Sequence, residues 1–365
     1  MKSCFFSSLV LITSIFSVPS GCPEIKLPRI PCEPCQTEII PPPCICAYNT
    51  PARFDARGCF GISVWGSYLY WTAKLDGSEL GISTAVRPDV GTNIPIQGGK
   101  IVDFDCQYKS GFKVGVSLLY DFDHWELEVE YLNYHNTFVK DKEAFICPKW
   151  LSPRIVALQS RAPIGAEASW KVGYDQFNIL FARNYYVGKK LTLKPAFGIE
   201  AIFLKQDLNI DYLFPIQIGP GLLDRNYISE NHINANCWGT KAGIESNWIF
   251  GQTFRVVGAL AGSIVYTDYD VSTNQFLKRL PDLLPTQVDD DICTLRPHFE
   301  MRFGLAYGDY FCCDRFFVDI GAFYEFHVLW NQNMFILLYD ADCPRALQTG
   351  DLYFHGLTAT LKIAF

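Results

Sequence analysis

The chain has 365 residues, of which 49% are hydrophobic, 15% aromatic and only 19% charged, and it carries a net charge of −7. That acidic balance argues against a nucleic-acid partner, whose footprint is basic. The length allows one large barrel or two ordinary domains, and so much aromatic and apolar side chain suits a surface turned to lipid better than one turned to water.

The first segment reads as a targeting signal over residues 1–21. Met1-Lys2 gives a short positive start, Phe5 to Val18 is an apolar run, and Val18-Pro19-Ser20 offers a small-residue cleavage site. The run is short for a membrane anchor, and no stop-transfer pattern follows it. Ser20-Gly21 before Cys22 hints at a lipoprotein signal, which Pro19 opposes. After residue 21 no apolar stretch approaches the roughly 20 residues that a spanning helix needs. A membrane-spanning form must therefore be a closed barrel, because hydrocarbon tolerates no unpaired backbone group.

Residues 22–58 form a second region. Eight prolines between Pro23 and Pro51 exclude regular helix or central strand, and Cys22, Cys32, Cys35, Cys44 and Cys46 are interleaved with them. This reads as a periplasmic extension stapled by disulfides, as an exported chain permits. Losing the leader removes Cys4 from the 14 cysteines and leaves 13, an odd number that points to a free thiol or an intermolecular bond.

From residue 59 to residue 365 the pattern has period 2, which sets two faces with different surroundings. Trp125, Leu127, Val129 and Tyr131 alternate with Glu126, Glu128 and Glu130; Leu295, Pro297, Phe299, Met301 and Phe303 alternate with Arg296, His298, Glu300 and Arg302. Phe316, Val318, Ile320, Tyr324 and Phe326 alternate with Asp319, Glu325 and His327. Ten strands are expected near 60–73, 110–121, 124–135, 168–184, 190–205, 236–249, 252–268, 293–307, 315–330 and 351–365. Trp65, Leu69 and Trp71 compete with Tyr68 and Tyr70 for one face of the first, and the fourth switches faces near Gln176, as a bulge would allow. Alternating residues at Ile101–Tyr108 and Leu208–Ile218 could raise the count to twelve.

Short turns at Asp121–His124, Tyr185–Lys190, Phe250–Gly251 and Gly308–Asp314 alternate with long connections near 74–109, 136–167, 206–235, 269–292 and 331–350. That asymmetry fits an all-β, antiparallel transmembrane barrel of 10–12 strands, with short periplasmic turns and long external loops. A soluble sandwich or lipocalin-like barrel also alternates. Its strands average only about 5–6 residues, however, and it has no reason to gather aromatics such as Tyr120, Trp125, Trp248, Tyr266 and Tyr307 at strand ends.

The last strand carries Leu357, Ala359, Leu361, Ile363 and Phe365 on one face. A terminal aromatic behind such alternation resembles the signal read by the outer-membrane insertion machinery, so Phe365 is the candidate insertion residue. The opening strand, Cys59-Phe60-Gly61-Ile62-Ser63-Val64-Trp65-Gly66-Ser67-Tyr68-Leu69-Tyr70-Trp71, then Asp76-Gly77, resembles that of the Legionella-type pore-forming outer-membrane family. It is also similar to the major-outer-membrane-protein-like porins of environmental chlamydiae. The resemblance covers that strand and the general plan to Phe365. It implies a porin-like barrel, and for the chlamydial relatives an envelope stiffened by disulfides.

The expected lumen carries Glu126, Glu128, Glu130, Lys194, Glu200, Lys241, Glu245, Arg255, Arg296, His298, Glu300, Arg302, Asp319, Glu325 and His327. The Glu126–Glu130 stripe and the Arg296–Arg302 stripe would face each other and set a transverse field that tunes ion passage. Alternatively they pair across a narrow lumen and close it, since barrels of eight strands are filled by side chains. Cys22, Cys32, Cys35, Cys44, Cys46, Cys59, Cys312 and Cys313 are the disulfide candidates on the periplasmic side; Cys106, Cys147, Cys237, Cys293 and Cys343 lie in or beside external loops. A lipid-facing band about 25 Å tall keeps the two sets from bonding to each other. Cys32-x-x-Cys35 lacks the second cysteine or histidine pair of a zinc site, and the sequence gives no cofactor or metal motif.

Enzyme chemistry is not expected. Asp319 and His327 are eight residues apart on one strand, about 26 Å at strand rise, and Asp123-His124 falls in a turn. The expected function is passive diffusion of ions and small hydrophilic solutes, with disulfide cross-linking in the envelope; the alternative is a structural or adhesive barrel without an open pore. The partners implied are outer-membrane lipid, the insertion machinery and other envelope proteins reached through disulfides.

Overall fold

A computed structural model of the chain describes residues 60–84, 98–120, 125–152, 162–187, 190–214, 226–250, 253–278, 285–311, 316–338 and 345–365. The leader, the proline–cysteine extension and all eight periplasmic disulfide candidates lie outside them.

Ten strands close a single antiparallel barrel. They are β1 (Phe60–Leu75), β2 (Lys109–Tyr120), β3 (Trp125–Glu143), β4 (Gly165–Arg183), β5 (Leu191–Leu213), β6 (Tyr227–Phe250), β7 (Phe254–Leu277), β8 (Thr286–Phe311), β9 (Phe316–Leu329) and β10 (Leu352–Ala364). Each pairs with its neighbour in the chain, and β10 returns to β1 in a ladder from Ser63↔Ala364 to Leu75↔Leu352. Phe365 completes that closure: its N–H donates to the Ile62 carbonyl at 2.8 Å and its carbonyl accepts from the Ile62 N–H at 2.9 Å. A closed ladder leaves no edge, which is what hydrocarbon demands.

The outer face carries a belt of exposed apolar side chains, among them Phe112, Val114, Ile244, Leu260, Ile264, Phe303, Leu305, Ile320 and Leu357. Aromatics border it. Trp248, Phe254 and Tyr307 stand near the short turns, and Trp238, Tyr266 and Tyr324 near the other side. Trp238 and Trp248 are ten residues apart on β6, about 33 Å along the strand; at a tilt of 35–45° this spans roughly 23–27 Å, the height of a membrane band.

Several strands run far past this band. β6 and β7 have 24 residues each and β8 has 26, more than twice the roughly 9–11 that a tilted span requires. Beyond the Trp238 level the two faces exchange character. On β6 the outward residues change from Trp238, Ala242 and Ile244 to Asn236, Asn234, His232 and Glu230, while the inward residues change from Glu245 and Lys241 to Cys237, Ala235 and Ile233. On β5 the outward row passes from Phe197, Ile199 and Phe203 to Lys205, Asp207, Asn209 and Asp211. Within the band lipid is outside and polar groups are inside; beyond it, water is outside and an apolar core is inside.

The structure corrects four expectations. Gln176 marks no bulge: β4 keeps one register with β3 and with β5 along its whole length, and the apparent switch is the exchange of surroundings. Much of the expected long loops is strand, because extra-membrane strand carries its apolar residues on the inner face and does not match a lipid-facing pattern. Leu208–Leu213 thus extends β5, and Lys100–Val102 pairs outside the barrel with Gly81–Thr84, so neither adds a barrel strand. The expected turn at Gly308–Asp314 begins later, because β8 continues to Phe311. In β1 the competition resolves with Trp65, Leu69 and Trp71 inward and Tyr68 and Tyr70 outward.

Above the band the interior is a dry layer. Leu69, Trp71, Tyr134, Tyr174, Leu204, Val265, Tyr269 and Phe354 are at most 1% exposed, with Tyr174 stacked on Phe354 at 4.7 Å between ring centres. Connecting segments fold onto it. Trp150, Phe335 and Ile336 join the same core, Tyr212 donates from its hydroxyl to the Leu80 carbonyl at 2.6 Å, and Trp150 donates from its indole to the Glu79 carbonyl at 2.9 Å. Lys149 bonds the Glu79 carboxylate at 2.9 Å; burial pushes that carboxyl up, but the ammonium and backbone hydrogen bonding outweigh it and hold it below its usual range.

The exchange of faces predicts two opposite responses on one strand. Ile244→Lys, in the belt, is expected to cost about 2–4 kcal/mol, whereas Asn234→Lys, beyond it, should stay within about 0.5 kcal/mol. Equilibrium unfolding from lipid vesicles checks both, and equal costs would misplace the membrane boundary.

Candidate functional site: the charged interior

Fourteen of the fifteen expected lumen residues gather in the barrel interior in two tiers; Arg296 is set apart. The tiers follow from β-strand alternation, since every second residue of β2 to β10 points inward.

The tier nearer the short turns joins Lys194 of β5 to Glu126 at 2.9 Å and to Glu128, both of β3. Arg302 of β8 bonds Glu245 of β6. Arg255 of β7 bonds Asp319 of β9, and its Nε donates to the Asn247 side chain at 3.0 Å. These groups, with Lys362 and the hydroxyl-bearing Ser63, Ser117 and Thr360, line a cavity of about 170 Å³. A second cavity of about 130 Å³ shares Glu128, Glu130, Lys194, Glu245 and Arg302 with it and reaches Glu300 and His327.

The inner tier centres on Lys241, whose ammonium lies 3.2 Å from Glu200 and 2.6 Å from Glu300. Gln176 donates to the Glu200 carboxylate at 2.5 Å and also to Glu300. Ser263 donates to Glu200. His298 approaches Glu200 at 3.2 Å through Nδ1. Lys113 bonds Glu325 at 3.0 Å, and Asn178 reaches Glu130 at 3.3 Å. Trp71 lies over this tier, 4.8 Å from the His327 ring, and donates from Nε1 to Thr358 at 3.0 Å.

Two expectations change. The acidic and basic stripes do not stand apart across an open lumen: Lys194, from a third strand, bridges Glu126 and Glu128 and offsets part of their charge, and Arg302 is bound to Glu245. Arg296 does not join a basic stripe. It sits part-buried beside the apolar layer, against Met334 at 3.2 Å and over the Tyr269 ring at 5.8 Å. Asp319 and His327 do not act together either, since Asp319 serves Arg255 and His327 faces Glu300 and Glu325; Asp123-His124 lies outside the described residues.

Lys113, Gln176, Asn178, Asn247 and Lys362 escaped the reading of the sequence. The signal for Lys113 was its place on the inward row Lys109, Gly111, Lys113, Gly115 and Ser117. Of the external cysteines, Cys106, Cys147, Cys237 and Cys293 are free. Cys237 lies on β6, facing the core, and not in a loop.

A paired charge inside a barrel costs little, but an orphaned one costs about 3–5 kcal/mol. Lys113→Met should therefore destabilise the barrel by an amount of that order, because it strands Glu325, which is 2% exposed. Lys113→Met with Glu325→Gln should recover most of the loss. A double-mutant cycle of unfolding free energies measures it, and simple additivity would refute the pairing.

The profile of a family described as the Legionella pneumophila major outer membrane protein precursor matches residues 61–365. No curated protein sequence matches. Among solved structures, the outer membrane protease OmpT of Escherichia coli is 10% identical with a TM-score of 0.40, covering 84% of this chain and 96% of its own. The toluene transporter TbuX of Ralstonia pickettii is 9% identical at 0.26, over 86% and 90%. A Pseudomonas aeruginosa FadL homologue is 9% identical at 0.27, over 84% and 90%. Likeness at these scores carries no argument about activity.

Proposed function

This chain belongs to the family of the Legionella pneumophila major outer membrane protein, and on that premise we propose that it is an outer-membrane channel for ions and small hydrophilic solutes. The passage follows the charged tiers, and in the conformation described the apolar layer closes it at the long-connection end. The leader at residues 1–21, the disulfide-linked extension at 22–58 and the outward orientation of the long connections belong to the same reading.

The observation that carries it is the ionic lining of two adjoining cavities within the membrane band. Stability alone does not account for that lining, because well-packed apolar residues in place of buried ion pairs are often as stable or more so. Ions moving through such a lumen would meet alternating carboxylates and cations, each weakly held.

A second reading has one observation in its favour. The dry layer and the segments folded on it make a barrel that only anchors its outer surface, without an open pore. Planar-bilayer recording separates the two. Wild type should give small discrete steps, Lys194→Gln with Arg302→Gln should move selectivity toward cations, and Tyr174→Ala with Phe354→Ala should enlarge the steps. Folded wild type and folded layer-opened variant that both stay silent would establish the sealed anchor.

The orientation has its own test. Cys106 and Cys293 are exposed and Cys237 is buried. An impermeant maleimide added to intact cells should modify Cys106 and Cys293 and spare Cys237, as read by peptide mass spectrometry. Protection of the first two until the cells are lysed would reverse the barrel.

A further inference from the structure

His298 and Glu300 are two apart on β8, so both face inward, and Glu300 lies directly opposite His327 of β9 in the strand register. The two histidines are 2% and 3% exposed. Each turns one ring nitrogen toward the same carboxylate oxygen: His298 Nε2 stands 3.7 Å from Glu300 Oε1, and His327 Nδ1 stands 3.6 Å from it. Neither nitrogen has a hydrogen-bond partner. Two buried, unpartnered imidazole nitrogens aimed at one carboxylate form an unusual cluster, since a buried polar atom without a partner costs about 1–3 kcal/mol.

We propose that His298, Glu300 and His327 form a binding site for a divalent first-row transition ion, zinc being the ion to test. Ligands about 2.0–2.2 Å from a tetrahedral ion stand roughly 3.4 Å from one another. The two nitrogen–oxygen separations are close to that edge, and all three ligand atoms lie within 4.8 Å of each other. An imidazole–imidazole–carboxylate set suits zinc, nickel or copper over calcium or magnesium.

Each outer nitrogen has a carboxylate behind it, hydrogen-bonded at His298 and nearby but longer than a hydrogen bond at His327. His298 Nδ1 faces Glu200 at 3.2 Å, and His327 Nε2 faces Glu325 at 3.8 Å. The Glu200 carboxylate sets the His298 tautomer that presents its Nε2 lone pair to the ion, and Glu325 is placed to do the same for His327 once it closes on Nε2. The 130 Å³ cavity, lined by Glu300 and His327, provides room for a water at the fourth position and joins the cavity toward the short turns. Lys241 and Gln176 are the competitors: both hold Glu300 Oε1, the ammonium at 2.6 Å, so binding requires both to turn wholly to Glu200 or Glu300 to offer its other oxygen. The site needs no open pore, and its test is independent of conductance.

The cysteine-rich extension could hold zinc through thiolates, so the test uses the refolded full chain with its thiols alkylated. Titration against a chromophoric zinc chelator should find one zinc per chain. His298→Ala and His327→Ala should each weaken binding at least tenfold, and Glu200→Gln by about 10–100-fold, with heat-modifiable gel migration confirming that each variant is folded. X-ray absorption at the zinc edge of wild type should show a nitrogen and oxygen shell with imidazole scattering, which decides the matter if a variant fails to fold. No binding, binding unchanged in folded histidine variants, or a shell without imidazole would overturn the proposal.

Discussion

Everything in this structure answers to one constraint: no backbone hydrogen bond can be left open in hydrocarbon. The β1–β10 ladder meets it by returning the last strand to the first, down to the reciprocal bonds between Ile62 and Phe365. Once the cylinder is closed, strand alternation assigns each residue to lipid or lumen with no further choice. The charged interior is therefore a consequence of closure. Glu126, Glu128 and Glu130 could not face outward without placing three carboxylates in the membrane.

The same constraint explains what the sequence made legible. In the membrane band, period 2 is read directly, because outside is uniformly apolar and inside is polar; Pro297 to Phe303 against His298 to Arg302 is unmistakable. Beyond the band the alternation persists while its meaning inverts. Tyr227, Ile233, Ala235 and Cys237 are as regularly spaced as Trp238 and Ile244, but they fall on the opposite parity. A reader seeking one apolar face sees the pattern stop and assigns a loop. Gln176 is the place where this inversion falls on β4, and a change of solvent there imitates a bulge.

The site was legible at the level of which residues face inward and illegible at the level of which ones meet. Pairing across a lumen depends on the stagger and tilt of the strands, and spacing along the chain does not encode them. Lys194 meets Glu126 from two strands away, and Lys113 meets Glu325 across a sequence separation of 212 residues. By contrast, Glu300 opposite His327 is a neighbour-strand pair, the one kind of contact that a hairpin register could have predicted. Arg296 shows the limit of parity alone: it points inward like Arg302, yet it is three residue pairs beyond it on the same strand row and lies beside the apolar layer, away from the charged tiers.

Ten strands set the scale at which all this chemistry operates. A wide barrel can hold its charges apart and let water neutralise them; this one is narrow enough that opposite side chains touch, so ionic groups must be matched one for one or leave an orphan. Matching near the short turns engages Lys194, Arg302 and Arg255, each with a carboxylate. It is incomplete at His298 and His327, where two nitrogens converge on a carboxylate that Lys241 already holds. The dry layer begins at the next level, with Trp71 resting on His327. The unmatched cluster thus sits at the floor of the closed part of the lumen. There Glu200, Glu300 and Glu325 are the carboxylates that would compensate an added cation, and the cavity lined by Glu300 and His327 leads from it toward the short turns.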